Sequence, residues 1–129
     1  MSLHELSVDE CLRLLRSHQS KVGRVGFAAD GLMTILPVNY RVIRGEVVFR
    51  TNTGSLLSTA VMQGSVAFEV DEVDTKWREG WSVLVRGKAR EIIDPDENDF
   101  AAAVVHSWAQ REAYAVAITP TKITGRRIT

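Results

Sequence analysis

The sequence predicts a mainly β protein, an antiparallel β-barrel with short helices at its ends. Six to eight short segments either alternate apolar and polar residues or are rich in β-branched and aromatic residues. Tight turns separate these segments, and the spacing leaves no room for the helical crossovers that parallel strands require. A length of 129 residues suits one domain, so we expect residues 1–129 to form a single unit.

Helix starts are encoded near both ends of the chain. Ser7 and Glu10 form a capping box, and the helix that follows is expected to end near His18. Asp94 and Glu97 repeat this pattern, with a proline in the first turn. The predicted apolar stripes are Val8, Cys11, Leu12 and Leu15 in the first helix, and Phe100, Val104 and Trp108 in the second.

The predicted strands are separated by turn and breaker residues. The strands are expected at 22–27, 32–38, 47–51, 66–71, 80–93, 114–118 and 122–128. Pro37 cannot donate to a ladder, so it predicts an edge or a break. Pro120 and Thr121 predict a turn before the last strand, and Gly87 predicts a bend or bulge in the longest one. The charged segment 72–79 predicts a solvated loop.

Composition and charge bear on the partners, the disulfides and the location that can be expected for this protein. Lys and Arg number 16 and Asp and Glu number 16, so no basic excess indicates a nucleic-acid or membrane partner. Cys11 is the single cysteine, which excludes an internal disulfide, and its place on the apolar stripe predicts a core residue. The N-terminal residues do not form a secretory signal, and the sequence predicts a cytoplasmic protein.

The sequence holds no recognisable catalytic constellation of its own. Nucleophile-elbow, zinc-protease and C-x-x-C motifs are absent, and the three histidines lie far apart in different contexts. The acidic residues of 71–79 are interrupted by cations and do not predict a metal site. An enzyme with this sequence would therefore depend on a bound cofactor, and its catalytic residues are not identifiable.

Segment 45–55 is a candidate phosphate site. Arg50 and Thr51 end a strand, and Ser55 follows at the predicted start of a short helix over 56–62. A guanidinium, hydroxyls and free backbone N–H groups are the donors that bind phosphate. The alternative is a solvated arginine before an ordinary polar turn, and the segment alone does not decide between the two.

Six ordered motifs, which together cover nearly the whole chain, resemble one known family, the FMN-binding split-barrel proteins related to pyridoxamine 5′-phosphate oxidase. The matching motifs are G-R-V-G-F at 23–27, L-P-V-N-Y at 36–40, V-V-F-R-T at 47–51, A-F-E-V-D at 67–71, G-W-S-V-L-V-R-G at 80–87 and I-T-G-R-R-I at 123–128. The resemblance implies an antiparallel six-stranded split barrel and a homodimer with FMN between the subunits.

The resemblance also implies which residues form the cofactor site. It assigns the flavin phosphate to Arg50, Thr51 and Ser55, the isoalloxazine ring to Pro37, Val38 and Asn39, and the approach from the partner subunit to Trp81 and Ser82. Phe49 and Leu56 are also expected among the cofactor-binding residues. Leu56 stands where many members have a phosphate-binding lysine, so the positive charge that binds the phosphate would come from Arg50.

Three functions are compatible with these features. The first is a flavin-dependent oxidoreductase that acts on an unidentified small molecule. A second uses a deazaflavin coenzyme in place of FMN, and the third is a non-catalytic flavin or ligand-binding module. The reaction of true pyridoxamine-phosphate oxidases is not expected, because their C-terminal substrate-binding segment has no counterpart here.

Overall fold

The computed structural model describes residues 2–18, 21–29, 31–52, 64–105 and 113–129. These ranges form β1 (Leu3–Glu5), α1 (Val8–Ser17), β2 (Val22–Ala29), β3 (Leu32–Ile43), β4 (Glu46–Asn52), β5 (Ser65–Asp74), β6 (Glu79–Glu91), α2 (Pro95–Val104) and β7 (Ala113–Ile128). The short helix predicted over 56–62 lies outside the described residues.

The strands close into a barrel through β7. The sheet runs in the order β1-β7-β4-β3-β2-β5-β6, and β7 also pairs with β6. Six strands therefore form a ring, and β1 is added to the C-terminal end of β7 by pairs such as Leu3 with Ile128. All of these pairings are antiparallel, which confirms the predicted six-stranded split barrel.

Both predicted helix starts are confirmed. The Ser7 hydroxyl accepts from the Glu10 backbone, and the Glu10 carboxylate accepts from the Ser7 backbone, each at 3.2 Å. Asp94 accepts from the Glu97 backbone at 3.0 Å. The Glu97 carboxylate accepts from Arg90 at 3.0 Å, so its ion pair links the start of α2 to strand β6.

Neither Pro37 nor Pro120 interrupts its strand, and of the edge or break predicted at Pro37 the edge is confirmed. β3 continues through Pro37, which pairs only with Arg24 of β2, so this part of β3 is an edge and not a break. β7 continues through Pro120, where the pairing with β6 shifts register between Arg86 and Gly87. The predicted bulge at Gly87 is confirmed. The prediction of a turn at Pro120 was wrong, because β7 continues through this residue.

The charged segment 72–79 is also more ordered than its composition suggests. β5 extends to Asp74 and β6 begins at Glu79, so only the four residues between them form the turn. The Asp74 carboxylate accepts from the Lys76 and Trp77 backbones at 3.0 and 3.2 Å. This aspartate satisfies backbone N–H groups of the turn, and the loop prediction was wrong for half of the segment.

The main core fills the barrel interior. Tyr40, Phe49 and Phe68 are almost fully buried there, and the Tyr40 and Phe68 rings meet edge to face at 5.0 Å. The Tyr40 hydroxyl donates to the Leu15 carbonyl at 2.7 Å, which fixes α1 to the barrel. Cys11 lies fully buried in this core, as predicted.

A second core lies between α2 and the outer face of the barrel. Its buried members are Val48, Ile92, Ala101, Val105, Ala115 and Ala117. The predicted stripe of α2 is confirmed at Val104, which packs against this core, and was wrong at Phe100, which is 55% exposed while Ala101 is buried. Trp108 lies outside the described residues. The stripe of α1 also differs, because Val8 is exposed and Leu14 is buried. Within the described residues, no helix has the length and apolar composition to cross a membrane.

Candidate functional site

Arg50 lies near the end of β4, on the outer face of the barrel. Side chains alternate along a strand, and the neighbouring Phe49 is fully buried in the interior core, so Arg50 points the other way. Arg50 pairs through its backbone with Ala115 of β7. Its guanidinium forms no ion pair with a described residue. No described carboxylate therefore compensates this cation on the outer face.

Asn39 lies beside Arg50 on the adjacent strand. Tyr40 and Phe49 form the last pair of the β3–β4 ladder, and Asn39 and Arg50 are the next residues on the two strands. The Asn39 side-chain nitrogen Nδ2 is buried and donates to no acceptor in the described ranges. A buried amide without a partner costs free energy, on the order of 1–3 kcal/mol. The position is therefore suited to a ligand that supplies an acceptor.

The other expected residues of this group divide between the two faces of the sheet. Val38 and Phe49 belong to the interior core, so their side chains do not face the outer surface. Pro37 shares the outer face with Asn39 and is exposed. Thr51 shares the face of Phe49 and is partly exposed at the strand end. Ser55 and Leu56 lie outside the described residues, so their expected roles stay predictions.

Trp81 and Ser82 lie elsewhere in the same chain. Ser82 pairs with Arg126 of β7, whereas Arg50 pairs with Ala115, eleven residues away on that strand. Within one chain, the structure brings Asn39 and Arg50 together on the β3–β4 ladder and places Trp81 and Ser82 on a different strand pair, β6–β7.

The surroundings of Trp81 form a small cleft at the end of the β5–β6 hairpin. One side of the Trp81 ring meets the buried His18 edge to face at 5.7 Å. Ser82 and Trp81 line a cleft of about 360 Å³ together with Arg78 and Arg126. The two arginines were not among the predicted site residues. The sequence does not single out Arg126, since its approach to Ser82 depends on the β6–β7 register, and Arg78 lies in the turn between β5 and β6.

A charged cluster on the outer face of β2 and β5 was also missed. Arg24 contacts Glu69 at 3.3 Å and Asp71 at 3.6 Å. Burial and then the neighbouring Asp71 raise the pKa of Glu69 to about 7, although Arg24 opposes the shift. The described residues hold no group of three metal-ligating side chains.

The comparisons with known proteins identify the family. The pyridoxamine 5′-phosphate oxidase family model matches residues 7–127, and the chain belongs to this family. An uncharacterised protein of Mycobacterium tuberculosis, Rv0080, is 39% identical over 130 residues, which cover 96% of this chain and 84% of the relative.

Two solved structures extend this similarity. The FAD binding protein from Mycobacterium smegmatis is 34% identical with a TM-score of 0.77, and the match covers 99% of this chain and 100% of that protein. A FAD-binding protein from Mesorhizobium loti has a TM-score of 0.83 over 100% of both chains. Its identity is 22%, so it supports the fold alone.

Proposed function

We propose that this protein binds a flavin nucleotide on the outer face of β3 and β4. One observation carries the proposal: the buried Asn39 amide nitrogen lies next to the guanidinium of Arg50, and neither has an acceptor or an ion-pair partner among the described residues. A flavin nucleotide offers ring acceptors for the amide and a phosphate for the guanidinium. The FAD binding protein from Mycobacterium smegmatis supports the same ligand class.

In this proposal each part of the chain has a distinct role. Arg50 holds the phosphate by a charge-assisted, two-pronged hydrogen bond, and Thr51 lies at the same strand end. Asn39 donates to the ring, and Pro37 supplies an apolar surface on the same face. The bound flavin supplies the electron-transfer chemistry, and these residues bind and orient it. We infer an oxidoreductase that acts on a small molecule.

The site is completed by a second copy of the chain. Trp81 and Ser82 lie on β6 beside the C-terminal end of β7, whereas Arg50 lies beside the N-terminal end of β7. A twofold dimer would bring them to the partner's site, since an isologous interface presents each surface to its counterpart. FMN between two subunits, as the resemblance implies, is consistent with this separation.

Replacement of Arg50 tests the phosphate assignment. Arg50→Ala should weaken flavin binding at least tenfold, because a hydrogen bond to a charged group contributes about 1.5–3 kcal/mol. Fluorescence titration with FMN measures the dissociation constant, and circular dichroism checks the fold. Arg13→Ala is the matched control, since Arg13 is an exposed arginine on α1. An unchanged constant for Arg50→Ala would remove this residue from the site.

The same titration tests the wider proposal. Purified protein should be yellow or should take up FMN, and a colourless protein that binds no flavin would contradict it. Parallel titration with the deazaflavin coenzyme distinguishes the alternative cofactor. Tight flavin binding without turnover, for a panel of reductants and small acceptors, would leave a binding module in place of an oxidoreductase.

A further inference from the structure

A second unpaired cation lies beside Arg50. Arg41 pairs with Val48 across the β3–β4 ladder, and Arg50 lies two residues beyond Val48 on the same face of β4. Diagonal neighbours of this kind are about 7–8 Å apart, so both guanidinium groups can reach one diphosphate. Like Arg50, the exposed Arg41 forms no ion pair with a described residue.

The charge of Arg41 acts on Lys21, whose carbonyl accepts from the adjacent Tyr40 backbone. The pKa of Lys21 lies below its usual value, first because of burial and then because of the positive charge of Arg41. Two cations thus lie close together on this surface, and the Lys21 ammonium group is held by the carbonyl of Arg16. An anion with more than one charge would relieve this repulsion.

A cavity of about 470 Å³ continues the same surface away from Arg50. Ile43, Glu46 and Val48 form its floor on β3 and β4, and the start of α2 forms its wall. Phe100 is 55% exposed at this wall, whereas Ala101 and Val104 of the same helix pack on the barrel. Ala102 and Ala103 of the same helix are also exposed, but Phe100 is its only large apolar side chain that is mostly exposed. An exposed aromatic ring at a cavity of this size offers a stacking surface for a planar base.

The charges of the cavity favour a neutral group rich in donors. The lining carries the carboxylates of Glu46, Asp94, Asp96 and Glu97 and the guanidinium groups of Arg44 and Arg90. Arg90 is already bound by Glu46 at 2.7 Å and by Glu97 at 3.0 Å. This excess of carboxylates would repel a phosphate. It would accept hydrogen bonds from ribose hydroxyls and from an exocyclic amine.

The order of these features along the ladder matches the order of groups in one ligand. Asn39 and Arg50 come first, the Arg41–Val48 pair follows, and the Ile43–Glu46 pair lies at the cavity. A flavin dinucleotide has the same sequence of ring, two phosphates and nucleoside. Arg50 and Arg41 supply one cation for each phosphate, and the cavity beyond them carries an excess of carboxylates.

We propose that Arg41 binds the second phosphate of a flavin adenine dinucleotide and that the cavity beside Phe100 binds its adenosine. This assignment rests on the proposed flavin site at Arg50 and extends it. The protein would then prefer the dinucleotide over FMN, because FMN lacks the groups that reach Arg41 and the cavity.

Titration with two flavins tests this assignment. The wild-type chain should bind FAD at least about tenfold more tightly than FMN, as expected for an added charge-assisted contact and a stacked base. Arg41→Ala and Phe100→Ala should each weaken FAD binding severalfold and leave FMN binding unchanged. Arg50→Ala should weaken both flavins alike, and Arg13→Ala should change neither. The melting temperature of each variant shows whether the protein is folded.

The outcomes separate this inference from the proposed function. Equal affinity for FAD and FMN, or FAD binding unaffected by both Arg41→Ala and Phe100→Ala, would overturn the nucleoside site and leave the flavin site intact. Failure to bind either flavin would overturn both. Adenosine 5′-diphosphate should compete with FAD for Arg41, and absence of competition at high concentration would also count against the cavity.

Discussion

At the scale of single residues, the unusual groups lie on the outer face of the barrel. Asn39 has a buried amide nitrogen without an acceptor in the described ranges, and Glu69 shares one arginine with a second carboxylate. Interior residues such as Phe68 and Val70 are fully buried and apolar. The interior thus contributes stability, and the polar chemistry of the described chain is concentrated outside it.

Glu69 should make stability depend on pH. Its pKa is about 7 in the folded protein and near 4.5 when the chain is unfolded, so the folded state binds more protons between these values. The free energy of unfolding should therefore fall as pH rises through this range. Urea denaturation at about pH 5 and about pH 8 measures the change.

Glu69→Gln should reduce this fall, because the amide stays neutral at every pH in the range. Glu91→Gln, at an exposed glutamate on β6, is the control and should keep the wild-type dependence. If Glu69→Gln retained the full pH dependence, another group would be its source.

At the scale of elements, the packing of β6 against β7 depends on a glycine. The two strands shift register at Gly87, where the backbones approach closely. A Cβ atom added to Gly87 would lie 2.3 Å from the Thr119 carbonyl oxygen and 2.8 Å from Ile118. A backbone oxygen cannot move aside as a flexible side chain can. The β6–β7 pairing that contains this bulge closes the ring, so the geometry of the bulge affects the whole barrel.

Gly87→Ala should therefore destabilise the protein by about 1–3 kcal/mol, the range for overpacked sites. Gly26→Ala is a matched control in β2, since its added Cβ would have its nearest contact at 3.9 Å. Thermal denaturation at one protein concentration compares the two variants with wild type. A melting temperature for Gly87→Ala equal to that of Gly26→Ala would show that β7 relaxes at the bulge.

At the scale of the whole molecule, one chain holds two separated halves of the proposed site. Arg50 and Asn39 lie on one part of the barrel, and Trp81 and Ser82 lie near the far end of β7. A twofold dimer would combine a half from each chain and create two equivalent sites. The predicted homodimer is therefore a condition for the proposed function, and it can be tested by mixing variants.

Mixed dimers should recover flavin binding. Arg50→Ala removes the phosphate contact, and Ser82→Tyr places a bulky ring on the partly exposed surface that would face the flavin. Each variant alone should bind poorly. After the two are unfolded and refolded together, heterodimers carry one intact site each, so about a quarter of all sites should bind flavin normally.

Fluorescence titration of the refolded mixture counts the recovered sites. Refolded samples of each single variant control for the procedure. No recovery in a mixture shown to be dimeric would place both residues in a site of one chain, and a monomeric mass near 14.3 kDa would contradict the shared site directly.

Local signals in the sequence determined much of the fold. The Ser7 and Asp94 caps satisfy backbone donors within a few residues, and the Arg44–Gly45 turn has the positive φ angles of a two-residue hairpin. Strand alternation placed most apolar side chains in the interior. The chemistry of Arg50 as a phosphate ligand also depends on its residue type and on the strand end, both visible in the sequence.

Only the tertiary structure decided how distant segments meet. Pro37 and Pro120 do not end their strands, because each needs a ladder partner on one side only and a bulge absorbs the irregular register. The pairing of β3 with β4 places Arg41 and Asn39 beside Arg50, and the β6–β7 register carries Ser82 away from it. These relations depend on strand order and register, which long-range contacts set and which no local residue pattern encodes.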